Sequence, residues 1–235
     1  MDLKFDLLNV NDSIKEILNK YDVDFVFQPI YSGFGTIAGH EALMRPKDKT
    51  ILEFIDEMTK EGKLHDLEIL TFFGATYAYK SRGYDTMLSV NSFPTELFTE
   101  EELIEYTECF KMPREKVIVE ILEYSDEKSW TWDKKNNQIN RNARVEVALD
   151  DFGTGFNDAD AVAYYRPHMI KIDRTLISNI DKDKDKQLYI KKLIDDMHNK
   201  LIAVLAEGVE TKEEYDYLKG IGVDFYQGYY LGKPA

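Results

Sequence analysis

Val117-Ile118-Val119-Glu120, Val145 through Leu149 into Asp150-Asp151, Met169-Ile170-Lys171, and Ile202 through Ala206 into Glu207 follow one plan: a short β-branched and aliphatic run that stops at a charge. Apolar runs of this length read as strands buried on both faces, as in a parallel sheet. An unpaired carboxylate or ammonium is too costly inside such a sheet, so each charge belongs where its strand emerges. Charges gathered at one end of many parallel strands describe a TIM-type (β/α)8 barrel, whose active site is built at that end. The plainer reading, solvated acids with scattered surface salt bridges, does not explain why a lysine occupies the same structural place.

A chain of 235 residues suits one large domain of that kind. Hydrophobic residues make up 43%, with 15 Tyr and 13 Phe, enough for a sizeable core. The formal net charge of −14 argues against a DNA- or RNA-binding surface. It still allows a phosphate ester at one site, because bound divalent cations invert the local field. The lone Cys109 excludes an intramolecular disulfide and a multi-cysteine metal site, and is expected to be buried or partly buried. No apolar stretch is long enough to span a membrane, and Met1-Asp2-Leu3-Lys4-Phe5-Asp6 has no signal-peptide pattern. The expected setting is the cytoplasm.

Strand and helix patterns alternate along the chain, which favours a parallel sheet. Residues 1–24 read as a helical lead-in and 25–235 as the barrel domain. Strands are expected at Phe25–Ile30, Gly39–Met44, Met87–Val90, Val117–Leu122, Val145–Leu149, Met169–Ile172, Ile202–Leu205 and Phe225–Tyr229. Helices are expected at Ile51–Glu61, Leu64–Lys80, Pro94–Phe98, Glu101–Phe110, Ala159–Tyr165 and Lys212–Lys219. A long helix ending near Asn199 should begin in the solvated run Asp181-Lys182-Asp183-Lys184-Asp185-Lys186. The stretch from Ser125 to Arg144, with Trp130 and Trp132, has no clear apolar stripe.

On this scheme the inward-facing candidates are Glu41, Asn91, Glu120, Asp150, Asp151, Lys171, Glu207 and Gln227. The ligand atoms of the acids and the Asn are oxygens, which suits Mg²⁺ or Mn²⁺ and not a structural zinc. The adjacent Asp150 and Asp151 could let one carboxylate bridge two ions while its neighbour holds the second. Such a pair stabilises both attacking and leaving oxygens of a phosphoryl transfer. Lys171 either offsets the acids and polarises the attacking water, or serves as a structural ion-pair partner of Asp150 or Asp151. His40 adjoins Glu41 and should point to the other face.

Glu41-Ala42-Leu43-Met44-Arg45 reproduces the signature of EAL domains, and further blocks resemble that family in order. They are Phe27-Gln28-Pro29-Ile30, Asn91 with Pro94, Glu120-Ile121-Leu122-Glu123, and Ala148 through Gly155. Lys171-Ile172-Asp173-Arg174, Ala206 through Thr211, and Gln227-Gly228-Tyr229 with Lys233-Pro234 complete the set. The resemblance implies a TIM barrel, mostly parallel with one antiparallel strand, that hydrolyses cyclic di-GMP to linear pGpG using two Mg²⁺ or Mn²⁺ ions. It implies that Glu41, Asn91, Glu120 and Asp150 hold the first ion and Asp150 and Asp151 the second. Lys171 and Glu207 would act on the attacking water. Gln28, Leu43, Arg45, Asp173 and Gln227 would contact or orient the substrate. Glu123, Gly153, Gly155 and Glu210 would support the loop around the site, and the assembly would be a homodimer. Pro46, Ser92-Phe93 and Asn157-Asp158 depart from the family pattern. A catalytically silent receptor or protein-interaction module of the same fold is the alternative.

Overall fold

The computed structural model describes residues 11–113, 116–121, 134–135, 145–153 and 159–235. Glu123, Gly155 and Asn157-Asp158 lie outside the described residues, as does most of the Ser125-to-Arg144 stretch. Eight strands close into a barrel in chain order. They are β1 (Asp24–Ser32), β2 (Ile37–Arg45), β3 (Met87–Ser92), β4 (Val117–Ile121), β5 (Glu146–Phe152), β6 (Met169–Ile172), β7 (Ala203–Ala206) and β8 (Phe225–Tyr226). β1 runs antiparallel to β2 and β8, and every other neighbouring pair is parallel. The mostly parallel TIM-type barrel with one reversed strand is therefore the observed fold.

The surrounding helices are α1 (Asp12–Tyr21), α2 (Ile51–Lys60), α3 (Leu64–Ser81), α4 (Glu100–Phe110), α5 (Ala159–Tyr165), α6 (Arg174–Ile177), α7 (Lys184–Asn199) and α8 (Lys212–Gly220). Strand residues alternate between two cores, as period-two geometry requires. Outward positions such as Leu88, Val90, Val119, Val147, Ile170 and Val204 join one cluster with Leu70, Phe73, Ile190, Ile194 and Leu218 of the helices. Each such side chain contributes about 1.5–3 kcal/mol through burial. α1 belongs to that cluster through Ile14, Ile17 and Tyr21, and Asn11 caps it by accepting from Ile14 N at 2.9 Å.

Inward positions form the second core: Ile30, Ile118, Ala148, Met169 and Leu205, with Met87, Ala203 and Phe225 against it. Moving two residues along each strand keeps the same face. On β3 through β8 those positions are Ser89, Glu120, Asp150, Lys171, Glu207 and Gln227, and on the reversed β1 it is Gln28. The barrel is thus plugged with hydrocarbon below and lined with polar groups above.

Three local expectations are corrected. Pro94–Phe98 is turn and irregular chain, because Thr99 builds a capping box with Glu102 and starts the helix at Glu100. The long helix begins within the expected run, where Asp183 accepts from Asp185 N and Lys186 N to start α7 at Lys184, and Asp173 caps α6 as a separate short helix before it. β8 stops at Tyr226, because the chain turns at Gly228, whose carbonyl accepts from Leu231 N at 3.0 Å and Gly232 N at 2.9 Å. Cys109 is exposed on α4, where the next residue, Phe110, is the buried one.

His65, at the start of α3, ties that helix to the chain beyond β3. Its Nε2 lies 3.0 Å from Glu102 Oε1, and Nδ1 lies 3.7 Å from Glu96 Oε2. The neighbouring Glu96 carboxylate, opposed by burial and reinforced by Glu102, raises its pKa from 6.5 to about 9. The folded protein therefore favours the imidazolium. That contribution is full below about pH 6.5 and is lost as the pH rises through about 9. Urea unfolding should show stability falling across this window in the wild type, and His65→Gln should remove the fall. An equal fall in His65→Gln would assign it to other groups.

Candidate active site

Lys171 is the centre of the barrel mouth. It is 1% exposed and rises from β6 among acids supplied by four other strands or strand ends. Its Nζ lies 2.8 Å from Glu207 Oε1, 2.9 Å from Glu120 Oε2, 2.9 Å from Asp150 Oδ1 and 3.7 Å from Glu41 Oε1. Burial alone would pull this ammonium down, yet Asp150, Glu120, Glu207 and Glu41 together hold its pKa well above 10.5. The acids show the reverse. Burial and the neighbouring charge of Glu41 push Glu120 up to about 8 against the pull of Lys171. Burial likewise raises Glu207 well above the usual range, with Lys171 opposing and Asp150 and Glu41 adding to the rise. Four carboxylates against one ammonium leave a surplus of negative charge, so the site favours a further positive charge.

The other members of the ring are linked by hydrogen bonds. Glu41 accepts from Gln227 Nε2 at 2.5 Å and from Asn91 Nδ2 at 3.4 Å. Gln227 Nε2 also donates to Gln28 Oε1 at 3.1 Å, and Gln28 Nε2 donates to Gly232 O at 3.1 Å. These two acceptors fix the Gln227 amide orientation and leave its buried Oε1 without a hydrogen-bond partner. Ser89, which the sequence reading did not single out, donates to Glu120 Oε1 at 2.5 Å. Its parity with Asn91 on β3 was the available signal.

Asp150 and Asp151 are neighbours in sequence, so a regular strand would send them to opposite faces. β5 avoids this with an irregularity: its register on β6 shifts between Leu149 and Phe152, and Asp151 adopts φ +50°. A bulge of this kind re-aims a side chain. As a result one oxygen each from Asp150, Asp151 and Glu207 lie within 4.8 Å of one another. Gly153 follows at φ +92°, packed so closely on Leu176 that a Cβ would stand 2.3 Å from its Cδ1.

The remaining residues are placed as follows. Arg45 ends β2 on the same face as Glu41 and Leu43, with its guanidinium exposed and Nη1 donating to Met44 O at 3.0 Å. Leu43 is half-buried. Asp173 is engaged as the cap of α6, accepting from Thr175 N at 2.8 Å. Glu210 pairs with Arg174 Nη2 at 2.7 Å, and Arg174 Nη1 donates to Gly208 O, which secures the turn after Glu207. His40 faces outward, stacked on Tyr84 at 4.3 Å.

The donor set suits a hard divalent cation. Every ligand atom is oxygen, the ring has surplus negative charge, and Gln227 Oε1 is buried with a lone pair unused.

A family model for the EAL domain matches residues 11–234. Among curated proteins, the chain is 27% identical over 212 residues to the blue light- and temperature-regulated antirepressor BluF of Escherichia coli, covering 87% of this chain and 52% of BluF. It is 28% identical over 191 residues to the cyclic di-GMP phosphodiesterase TpdA of Vibrio parahaemolyticus, covering 81% of this chain and 33% of TpdA. The chain thus spans about half of BluF and a third of TpdA. The structure is similar to that of a standalone EAL protein from Vibrio cholerae in its cyclic di-GMP-bound form, with a TM-score of 0.81 and 26% identity, covering 92% and 93% of the two chains.

Two substitutions probe this geometry. Lys171→Met should lower the unfolding free energy of the ion-free protein by about 3–5 kcal/mol in urea, because it leaves several acids buried without their cation. A loss below about 1 kcal/mol would show that the acids are held by other means. Gly228→Ala places a Cβ 2.2 Å from Val209 N and O. It should cost about 1–3 kcal/mol by forcing Gln227 and the turn after Glu207 apart.

Proposed function

The chain belongs to the EAL domain family, and from that premise we propose that it hydrolyses cyclic di-GMP to linear pGpG at the barrel mouth. One observation carries the reading: Glu41, Glu120, Asp150 and Glu207 meet around Lys171, with Asn91 against Glu41 and Asp151 beside Asp150 and Glu207, and no position is lost. A module that had given up catalysis would be expected to lack at least one of these groups, since function resides in the site and not in the fold.

In this reading two Mg²⁺ or Mn²⁺ ions would be held, one by Glu41, Asn91, Glu120 and Asp150 and the other by Asp150 and Asp151. When bound, such ions supply Lewis acidity toward a phosphoryl oxygen and make water a usable nucleophile near neutral pH. Lys171 stays protonated and holds Glu120, Asp150 and Glu207 in place through its Nζ. Glu207 takes the proton that the attacking water loses. One P–O bond to a ribose oxygen breaks, the water oxygen ends on phosphorus, the departing oxygen takes a proton from solvent, and Glu207 releases its own to solvent. Arg45 grips a phosphate through its paired N–H groups, and the Gln28–Gln227 pair orients the nucleotide. Leu43 lines the pocket between Glu41 and Arg45.

BluF, an antirepressor, favours a second reading in which the domain acts through a protein partner without turnover. Chromatography of reaction mixtures separates the two. With saturating Mn²⁺, Glu41→Ala and Asp151→Asn should each lower kcat/KM for pGpG formation by at least about 100-fold. Undiminished turnover in either variant would refute the ion assignment. Saturable cyclic di-GMP binding with no pGpG would select the non-catalytic reading. Competition by linear dinucleotides or cyclic AMP as strong as by cyclic di-GMP would refute the substrate assignment.

A further inference from the structure

Away from the mouth, the structure holds an ion pair sealed from water. Glu68 on α3 is 0% exposed and Lys135, from the connection between β4 and β5, is 2% exposed. Lys135 Nζ lies 2.7 Å from Glu68 Oε1. The same oxygen accepts from Ser92 Oγ at 2.7 Å, and Glu68 Oε2 accepts from Phe93 N at 2.9 Å. Lys135 Nζ also donates to Phe93 O. A buried pair contributes little net stability, because desolvation offsets most of the attraction. Its location points to a different role: apart from their mutual contact, Glu68 bonds to Ser92 and Phe93 and Lys135 bonds to Phe93, the two residues that follow Asn91.

Asn91 needs such support. Its amide makes a long 3.4 Å contact with Glu41 Oε1, and the β3–β4 ladder ends one residue later, at Ser92. The direction of the Asn91 side chain therefore depends on the backbone at Ser92-Phe93. Strand parity sends Asn91 inward and Ser92 outward, so the hydroxyl of Ser92 is available to a group on the helix layer. Glu68 supplies that group, and Lys135 neutralises it while gripping the Phe93 carbonyl.

We propose that Glu68 and Lys135 are positioning residues, a buried clamp on Ser92-Phe93 that sets the Asn91 amide in the ion-binding mouth. The proposal rests on the assignment of Asn91 as an ion ligand in the preceding reading. Outer groups that orient a metal ligand typically account for 10–100-fold in affinity.

The test is Mn²⁺ affinity of the full chain by titration calorimetry, with thermal unfolding of the ion-free protein alongside. Replacing both charges together, Glu68→Met with Lys135→Met, should leave the protein folded while weakening Mn²⁺ binding by about 10–100-fold. Ser92→Ala, which keeps the charge pair, should weaken it by about two- to tenfold and decides the matter if the double variant fails to fold. In an Asn91→Ala background neither change should weaken binding further, since the clamp acts through Asn91. Unchanged Mn²⁺ affinity in the folded variants, or losses that add to that of Asn91→Ala, would overturn the clamp. Glu120→Gln distinguishes this from a failure of the ion assignment. It should abolish Mn²⁺ binding, and if it does not, or if the wild type binds no Mn²⁺, the assignment and the clamp fall together.

Discussion

An ammonium closed inside a barrel by four carboxylates is the interaction on which the rest of the site depends. Removed from water alone, Lys171 would shed its proton, and Glu41, Glu120, Asp150 and Glu207 would repel one another. Together they persist, with Nζ within 2.9 Å of three of them. The arrangement is incompletely neutralised, and burial raises the pKa of Glu120 and Glu207 against the pull of Lys171. A site in this condition favours cations over water. The same surplus would reconcile a chain of net charge −14 with the proposed anionic substrate, because cations gathered there would reverse the sign of the local field.

The surrounding fold supplies rigidity and two local exceptions to regular strand geometry. The apolar plug of Ile30, Ile118, Ala148, Met169 and Leu205 fills the barrel beneath the charges. It excludes water from below and fixes the height at which each charge emerges. The irregularity of β5 then brings Asp151 round beside Asp150, and the close approach at Gly228 keeps Gln227 against the turn that carries Glu207. Without either exception the donors would be present in the chain and dispersed in space.

Much of this was legible in the sequence, for a physical reason. A parallel barrel buries both faces of its strands, so the strands appear as unbroken apolar runs, and any charge that ends such a run marks the open end. Glu120, Asp150, Lys171 and Glu207 were readable in that way. Ser89 and Glu68 were not: a serine in a strand and a glutamate in a helix carry no mark of burial until tertiary contacts supply their partners. The bulge at Asp151 was also hidden, since periodicity alone assigns adjacent residues to opposite faces. The misjudged ends of the last strand and of the Pro94–Phe98 segment were decided by a turn at Gly228 and a capping box at Thr99. Both are short-range effects that hydrophobic pattern does not encode.

The most direct measurement is chromatographic analysis of cyclic di-GMP incubated with the purified chain, with Mn²⁺ and with chelator in parallel. The account predicts linear pGpG in the Mn²⁺ sample and none when the ions are sequestered. Undiminished pGpG in chelator, or intact cyclic di-GMP at saturating Mn²⁺, would contradict it.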